Sequence, residues 1–301
     1  MTSRGRCPCC GERGTHAIDA NIDVERMSEA TFASRKRPEL MHHEYWECAA
    51  CGSYFTPALP DVEELYTDYR DASFDSGVEA AFASRTYSEA ILARARLLSR
   101  GSALDIGTGD GAFLGSLLDM GFQDVKGVEP SLAPIEAALP RVRPLIIQGI
   151  FEEGSFGPET LDLVTCFQTI EHVPDPSALV REAFSILRPG GYLAIVCHDR
   201  KSPVNRLLGR KSPIFDIEHL QLLTRTGLRG LFTRAGFSDV DVSRIRNRYP
   251  VRYWLRLAPL PIGVGNVLES RSDSWLLNQP VSVGVGNVIC VGRKPDDNLS
   301  S

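Results

Sequence analysis

The spacing of apolar residues changes part-way along the chain. Up to about residue 56 they are scattered among polar positions with little sustained repeat, and Pro57 and Pro60 punctuate the exit from that stretch. Asp61-Val-Glu-Glu-Leu-Tyr then reads as a helix start with acids in its first turn. A second helix is predicted from Val78 to Ser99, where Ile91, Leu92, Ala95 and Leu98 share one face. From Ala103 the pattern becomes short apolar runs alternating with helical segments. Strands are expected at Ala103 to Ile106, Val125 to Glu129, Pro144 to Gln148, Leu161 to Phe167 and Tyr192 to Cys197. Helices are expected between them at Ala112 to Met120, Ser131 to Leu139 and Leu179 to Leu187. A helix from Thr226 to Ala235 and strands from Val240 to Ile245 and Val281 to Val291 complete the series. This alternation predicts an α/β domain, a mostly parallel sheet with helices on both faces.

Composition changes that picture little. The 301 residues suffice for one α/β domain and a small accessory module, and 43% apolar with 24% charged residues is ordinary for a globular chain. No apolar run is long enough to cross a bilayer, and no apolar segment follows the basic start Met1 to Arg6, so the expected compartment is the cytoplasm. Charge is more telling. The net value is −5, yet Arg200 to Arg256 holds 13 Lys or Arg against 4 Asp or Glu, which leaves the rest of the chain at −14. A general nucleic-acid binder is not indicated, and one locally basic region is. Nothing in the pattern specifies an oligomeric state.

The first candidate chemistry is Leu104-Asp-Ile-Gly-Thr-Gly-Asp-Gly111, which follows a predicted strand and opens a predicted helix. Gly107 and Gly109 let the backbone turn tightly beside a ligand, and the helix beyond offers free N–H groups. Glu129 closes the next strand 22 residues after Gly107, where an acid can accept hydrogen bonds from both hydroxyls of a ribose. Asp105 and Asp110 would repel a pyrophosphate and suit an ammonium group, which argues against a dinucleotide.

The ordered runs LDIGTGDGAF, GVEPS, TCFQTIEHVPDP and ILRPGGYLAIV resemble the successive motifs of class I methyltransferases that use S-adenosylmethionine (SAM). The resemblance covers about residues 85 to 245. It implies a Rossmann-like seven-stranded sheet, helices on both faces, whose last strand is antiparallel. It also implies a cofactor site built from Asp105, Gly107, Thr108, Gly109, Asp110, Glu129 and Pro130, with Asp105 and the glycines around the methionine moiety and Glu129 on the ribose. Gln168 matches a position that lines the cofactor pocket. Many relatives place an acid after the third strand to meet the adenine; this chain has Ile150 there, leaving Phe151 to pack on the ring or Glu152 to reach back.

Methyl transfer needs in-line alignment and dry surroundings, and a base only where the acceptor must lose a proton. Three histidines are candidates. His172 follows the fourth strand in Glu171-His172, and its alternative role is to brace the Pro174 loop. His219 lies in Phe215-Asp-Ile-Glu-His, a segment faintly similar to the histidine-bearing stretch of sugar C-methyltransferases. His198 directly follows the fifth strand.

Cys7-Pro-Cys-Cys10-Gly and Cys48-Ala-Ala-Cys51-Gly form two C-x-x-C-G knuckles, and each glycine permits the turn that wraps N–H groups toward sulfur. In a reducing compartment such pairs favour a structural Zn2+ held by Cys7, Cys10, Cys48 and Cys51, with no open coordination position. A redox role would place the motif at a helix start, as in thioredoxin-like units. Cys9 is a spare thiol beside two ligands, while Cys166, Cys197 and Cys290 lie in apolar strands as buried small residues. The segment resembles a zinc ribbon. The expected organisation is a zinc-ribbon-like module at 1–56, a helical linker or lid at 57–100, and a methyltransferase domain at 101–294. That domain carries an insertion at about 247–280, and a flexible tail follows at 295–301.

Within the insertion, arginines and aromatics interleave from Asn247 to Pro261. Three readings stand open: an amphipathic helix packed on the domain, a cap whose arginines meet phosphate, and an interfacial element over 250–262 with Trp254, Leu255 and Leu257 toward lipid. Together with Lys201, Arg206, Arg210 and Lys211, the insertion points to a small anionic acceptor: a sugar, a nucleotide-sugar, a lipid-linked phosphate or a secondary metabolite. RNA or protein as acceptor, read by the zinc ribbon, and an inactive SAM-fold binding module are the alternatives.

Overall fold

The computed structural model describes residues 5–23, 40–60, 77–257 and 275–296. Three strands open the chain: β1 (Gly14–Ile18), β2 (Tyr45–Cys48) and β3 (Tyr54–Phe55). Helix α1 (Gly77–Leu92) leads into β4 (Ser102–Ile106), α2 (Ala112–Asp119), β5 (Asp124–Glu129), α3 (Leu132–Ala137), β6 (Ile146–Gln148) and β7 (Leu161–Phe167). Then come α4 (Pro176–Ile186), β8 (Leu187–His198), α5 (Pro203–Leu208), β9 (Gln221–Leu222), α6 (Arg225–Ala235) and β10 (Ser238–Arg244). The described chain closes with β11 (Asn247–Pro250), α7 (Val251–Leu257), β12 (Pro280–Val283) and β13 (Asn287–Arg293). Among the described residues no helix is long and apolar enough to cross a membrane.

The central sheet has seven strands in the order β10-β13-β8-β7-β4-β5-β6. Strands β8 to β6 in that order run parallel to their neighbours, and β13 lies antiparallel between β8 and β10. The expected sheet, antiparallel last strand included, is present. Its two faces read off the strand alternation. Leu193, Ile195 and Cys197 of β8 face one core with α4 and α6; Ala194 and Val196 face the other with α1 and α2.

The described residues before Pro57 form more than a separate ribbon. β1 and β2 pair antiparallel, β2 pairs with β3, and β3 pairs with β9 (Tyr54 with Leu222, Phe55 with Gln221), so the small sheet is completed by a strand from the far half of the chain. The contact is reinforced by Thr224, whose hydroxyl donates to Cys51 O (2.7 Å), and by Arg234, which donates to Cys10 O (2.6 Å). Arg200 donates to Gly52 O (3.0 Å), pairs with Glu47 and lies 3.6 Å over the Tyr54 ring. Cys9 is fully buried here, and a Cβ added to Gly227 of α6 would stand 3.4 Å from its sulfur.

Several local expectations need correction. The helix predicted to Ser99 ends at Leu92, and Leu92 and Leu98 face solvent while Ile91 is buried; the apolar spacing continued past the last hydrogen-bonded turn. The run Val281 to Val291 is two strands, because Gly286 takes a left-handed φ of 96° and breaks the ladder. β12 instead pairs with β11 as a separate ribbon beneath α7. Trp254 donates its indole N–H to Val281 O (3.0 Å) and meets the Tyr249 ring edge-on, which ties α7 to the ribbon. The helix start at Asp61 and most of the tail lie outside the described residues.

Docking of the cysteine module depends on the missing side chain of Gly227: an added Cβ would stand 2.3 Å from Ser53 Oγ, itself hydrogen-bonded to Thr224. Gly227→Ala is expected to lower stability by about 1–3 kcal/mol in urea unfolding, as overpacking does. An unchanged midpoint would show the contact to be slack.

Candidate functional site

The glycine turn lies at the C-terminal edge of β4, the edge where open α/β sheets take ligands. Gly107, Gly109 and Gly111 all adopt left-handed φ values, 71°, 57° and 71°. Their reasons differ. A Cβ on Gly107 would strike Thr169 at 2.3 Å, so that glycine serves packing within the chain, whereas a Cβ on Gly109 would meet nothing within 4 Å. Gly109 is therefore the position that leaves the turn open to a ligand.

Glu129 is buried at the end of β5. Its Oε2 accepts from Gly109 N–H (2.8 Å) and its Oε1 from Ser131 N–H (3.0 Å), which aims the carboxylate along the glycine turn. Burial pushes its pKa up, against the two N–H groups that favour the charged form. Pro130 follows it, and Gly149 N–H donates to Glu129 O (3.0 Å), which brings the β6 exit with Ile150 and Phe151 alongside. Phe151 stacks on Phe156 at 6.2 Å, while Glu152 is exposed. Asp110 accepts from Ala112 N–H (3.1 Å) at the start of α2.

Asp105 is buried below the turn. Its two oxygens accept from the hydroxyls of Thr108 (2.8 Å) and Thr165 (2.6 Å), inside the protein. These bonds brace the turn, and burial raises the Asp105 pKa to about 7. Thr165 was not singled out from sequence. A buried threonine in the apolar run Leu163 to Phe167, pairing with β4 at Asp105, is the signal that would have found it.

The three candidate histidines, 47 residues apart along the chain at the extremes, come together around one carboxylate. His219 meets His172 edge-on (ring centroids 4.9 Å apart) and His198 at 5.7 Å. Glu171, fully buried, accepts at Oε1 from His198 N–H (2.7 Å) and lies 3.1 Å from His198 Nδ1. That bond places a proton on Nδ1 and leaves Nε2 of His198 with its lone pair. His219 Nδ1 lies 2.8 Å from Ile214 O, which fixes its ring in the same way, and Tyr45 of β2 donates to His219 O (2.6 Å). Burial would raise the Glu171 pKa, but the hydrogen bond from His198 and the neighbouring imidazoles outweigh it and hold the group down at about 2. Burial lowers His172 to about 3 and also lowers His219.

Gln168 directly follows β7 in a left-handed conformation (φ 52°) with both side-chain polar atoms buried and unpartnered. Of the basic residues after β8, Lys201, Arg206, Arg210 and Lys211 are exposed.

The cysteine cluster tests a metal by its donor set. The sulfurs of Cys7, Cys10, Cys48 and Cys51 all lie within 4.8 Å of one another, with Cys7–Cys51 at 3.6 Å and Cys10–Cys48 at 3.3 Å. Tetrahedral zinc with bonds of about 2.3 Å would hold sulfurs about 3.8 Å apart, so the set fits. The knuckles share one backbone scheme: Gly11 N–H donates to Cys7 O and Gly52 N–H to Cys48 O, both at 2.8 Å. Cys9 is directed against α6 and stands outside this set.

Residues 80–242 match the family model described as a methyltransferase domain. The chain is 32% identical over 174 residues to the ubiquinone biosynthesis O-methyltransferase of Pseudomonas fluorescens strain SBW25, covering 55% of this chain and 62% of that protein. It is 27% identical over 168 residues to the protein of that name in Psychrobacter arcticus, covering 50% and 65%. The matches thus span less than two thirds of these relatives. The fold is similar to the crystal structure of the YcgJ protein of Bacillus subtilis (TM-score 0.52, 18% identity, covering 70% of this chain and 99% of that one).

His172 and His219 have ordinary pKa values near 6.5 that folding lowers. Between pH 6.5 and the folded values the unfolded chain binds more protons, so stability present above pH 6.5 is lost as pH falls through that window. His172→Gln should reduce the slope of unfolding free energy on pH by up to one proton, about 1.4 kcal/mol per pH unit, in urea titrations from pH 6.5 to 4. An unchanged slope would place the histidine in contact with solvent.

Proposed function

The chain belongs to the methyltransferase-domain family of SAM-dependent enzymes, and we propose that it methylates a hydroxyl of a small anionic acceptor, with His198 as general base. The observation that carries this reading is the Glu171–His198 pair. A buried carboxylate fixes the imidazole tautomer, and His198 remains the more accessible ring, with 30% of its side chain exposed. The relatives named O-methyltransferases support an oxygen acceptor.

When bound, SAM would supply an electrophilic methyl on a sulfonium whose leaving group is a neutral thioether. Glu129 receives the ribose hydroxyls, Gly109 gives the turn its open approach, and Gln168 lines the pocket on the β7 side. With SAM bound, His198 Nε2 would take the proton of the acceptor hydroxyl as that oxygen is methylated. Glu171 stabilises the imidazolium so formed. His219, held by Ile214 O and by the Tyr45 contact, positions the acceptor beside it, and His172 packs behind. Arg206, Arg210 and Lys211 supply exposed positive charge on the acceptor side for a phosphate or carboxylate. Zinc on Cys7, Cys10, Cys48 and Cys51 would hold the small sheet that carries Tyr45.

Calorimetric titration with S-adenosylhomocysteine tests the cofactor half. Binding should weaken about tenfold to a hundredfold in Glu129→Ala, the loss expected for hydrogen bonds to a charged group. No binding to folded wild type would sink the reading. His198→Ala should lower kcat by about 10²–10⁴ with S-adenosylhomocysteine binding kept; an unchanged kcat would assign the base elsewhere. Metal analysis should find one zinc per chain, lost in Cys48→Ser and kept in Cys9→Ser.

A further inference from the structure

Among the described residues, five buried side-chain polar atoms have no hydrogen-bond partner, and they belong to four residues: Gln168 (Nε2 and Oε1), Glu171 (Oε2), Asn247 (Oδ1) and Asn287 (Oδ1). Backbone pairing sets all four along one edge of the molecule. Gln168 and Glu171 follow β7. Asn287 opens β13 directly opposite His198, the last residue of β8. Ile245 N–H donates to Asn287 O (3.1 Å), and two residues later Asn247 opens β11. Glu171, Asn247 and Asn287 are each more than nine-tenths buried. Buried acceptors are nearly always satisfied in native proteins, so several unpaired ones at a ligand-binding edge call for a ligand that supplies the donors.

The edge divides by strand order. Gln168 directly follows β7, the neighbour of the glycine-turn strand β4, and belongs to the cofactor half. The other three lie toward β8 and β13, the half on which His198 stands. The three unpaired atoms there are all oxygens: two amide carbonyls and one carboxylate oxygen. They accept and do not donate, so the complementary ligand presents several donors of its own.

We propose that Glu171 Oε2, Asn247 Oδ1 and Asn287 Oδ1 form an acceptor subsite for adjacent hydroxyls of a polyhydroxylated ring, a sugar or cyclic polyol, with a further hydroxyl facing His198. A phenol with a single hydroxyl leaves these oxygens unpaired, and a site built to bond hydroxyls rejects an analogue lacking them by as much as about 10⁴-fold. The inference rests on the acceptor-hydroxyl reading above and narrows it to the ring that carries the hydroxyl; phosphate recognition by the exposed arginines is separate from it.

The test uses the full zinc-loaded chain saturated with S-adenosylhomocysteine, and neutral probes, so that charge plays no part. Methyl α-glucopyranoside and myo-inositol are compared with phenol and cyclohexanol by saturation-transfer NMR. The polyols should bind at least about tenfold more tightly, and Asn247→Leu and Asn287→Leu should each weaken them about tenfold or more. Asn287→Asp, which keeps the acceptor, should stay within about threefold, and S-adenosylhomocysteine affinity within about twofold throughout, which also certifies the fold. Three results overturn the subsite: polyol affinity unchanged in both leucine variants, which would assign the oxygens to ordered water; phenol binding as tightly as the polyols; or no polyol signal up to about 50 mM in cofactor-saturated protein. Failure of the methyltransferase reading shows separately, as absent S-adenosylhomocysteine binding or full activity in His198→Ala.

Discussion

A single buried carboxylate ties the halves of this molecule together. Ionised groups are costly to bury and persist only when their partners are in place. Glu171 meets that demand with its side chain on the backbone and ring of His198, at the end of β8. Its main-chain carbonyl accepts from Leu220 and Gln221, at the threshold of β9. One residue therefore fixes the exit of β7, the exit of β8 and the strand that completes the cysteine module's sheet. Gln221 adds its own side chain to the knot by donating to Ile170 O (2.6 Å) and Val173 O (2.9 Å). The histidine cluster gathers around this residue: His198 is bonded to its carboxylate, His172 follows it in the chain, and His219 precedes the residues bonded to its carbonyl.

The parts legible in the sequence were those written in local pattern. Alternation of apolar runs marked the parallel strands, and the Gly107–Gly111 turn and Glu129 could be placed because strand, turn and helix follow one another directly. The cysteine knuckles were legible for the same reason. What the sequence concealed was pairing across distance. Nothing near Gln221 and Leu222 marks a two-residue strand, because its partner Tyr54 lies in another part of the chain. The inward turn of Asp105 depends on Thr165, sixty residues away, and the meeting of His172, His198 and His219 depends on loop closure rather than on spacing. Asn247 and Asn287 carry no motif at all. They stand out only once burial and partners are known.

The two ends of the sheet divide the work that the family demands. On the β4–β5 side, rigidity dominates: threonines lock Asp105, Thr169 packs under Gly107, and Glu129 is aimed by two backbone N–H groups. On the β8–β13 side, the surroundings are borrowed. The wall is made from β9, from Tyr45 of the small sheet and from the ribbon of β11 and β12, none of which belongs to the seven-stranded core.

The shared four-stranded sheet also sets an order of events during synthesis. The cysteine knuckles and strands β1 to β3 leave the ribosome well before β9, and the open edge of β3 must wait for Leu222 before it is covered. At translation rates of about 5–20 residues per second that interval is roughly 10–30 s. During it an unpaired strand edge and the apolar face around Phe55 are exposed in the nascent chain, a state that invites pairing with other chains. Early metal capture by the knuckles would then matter most before the enzyme exists as an enzyme, as protection for a half-made protein.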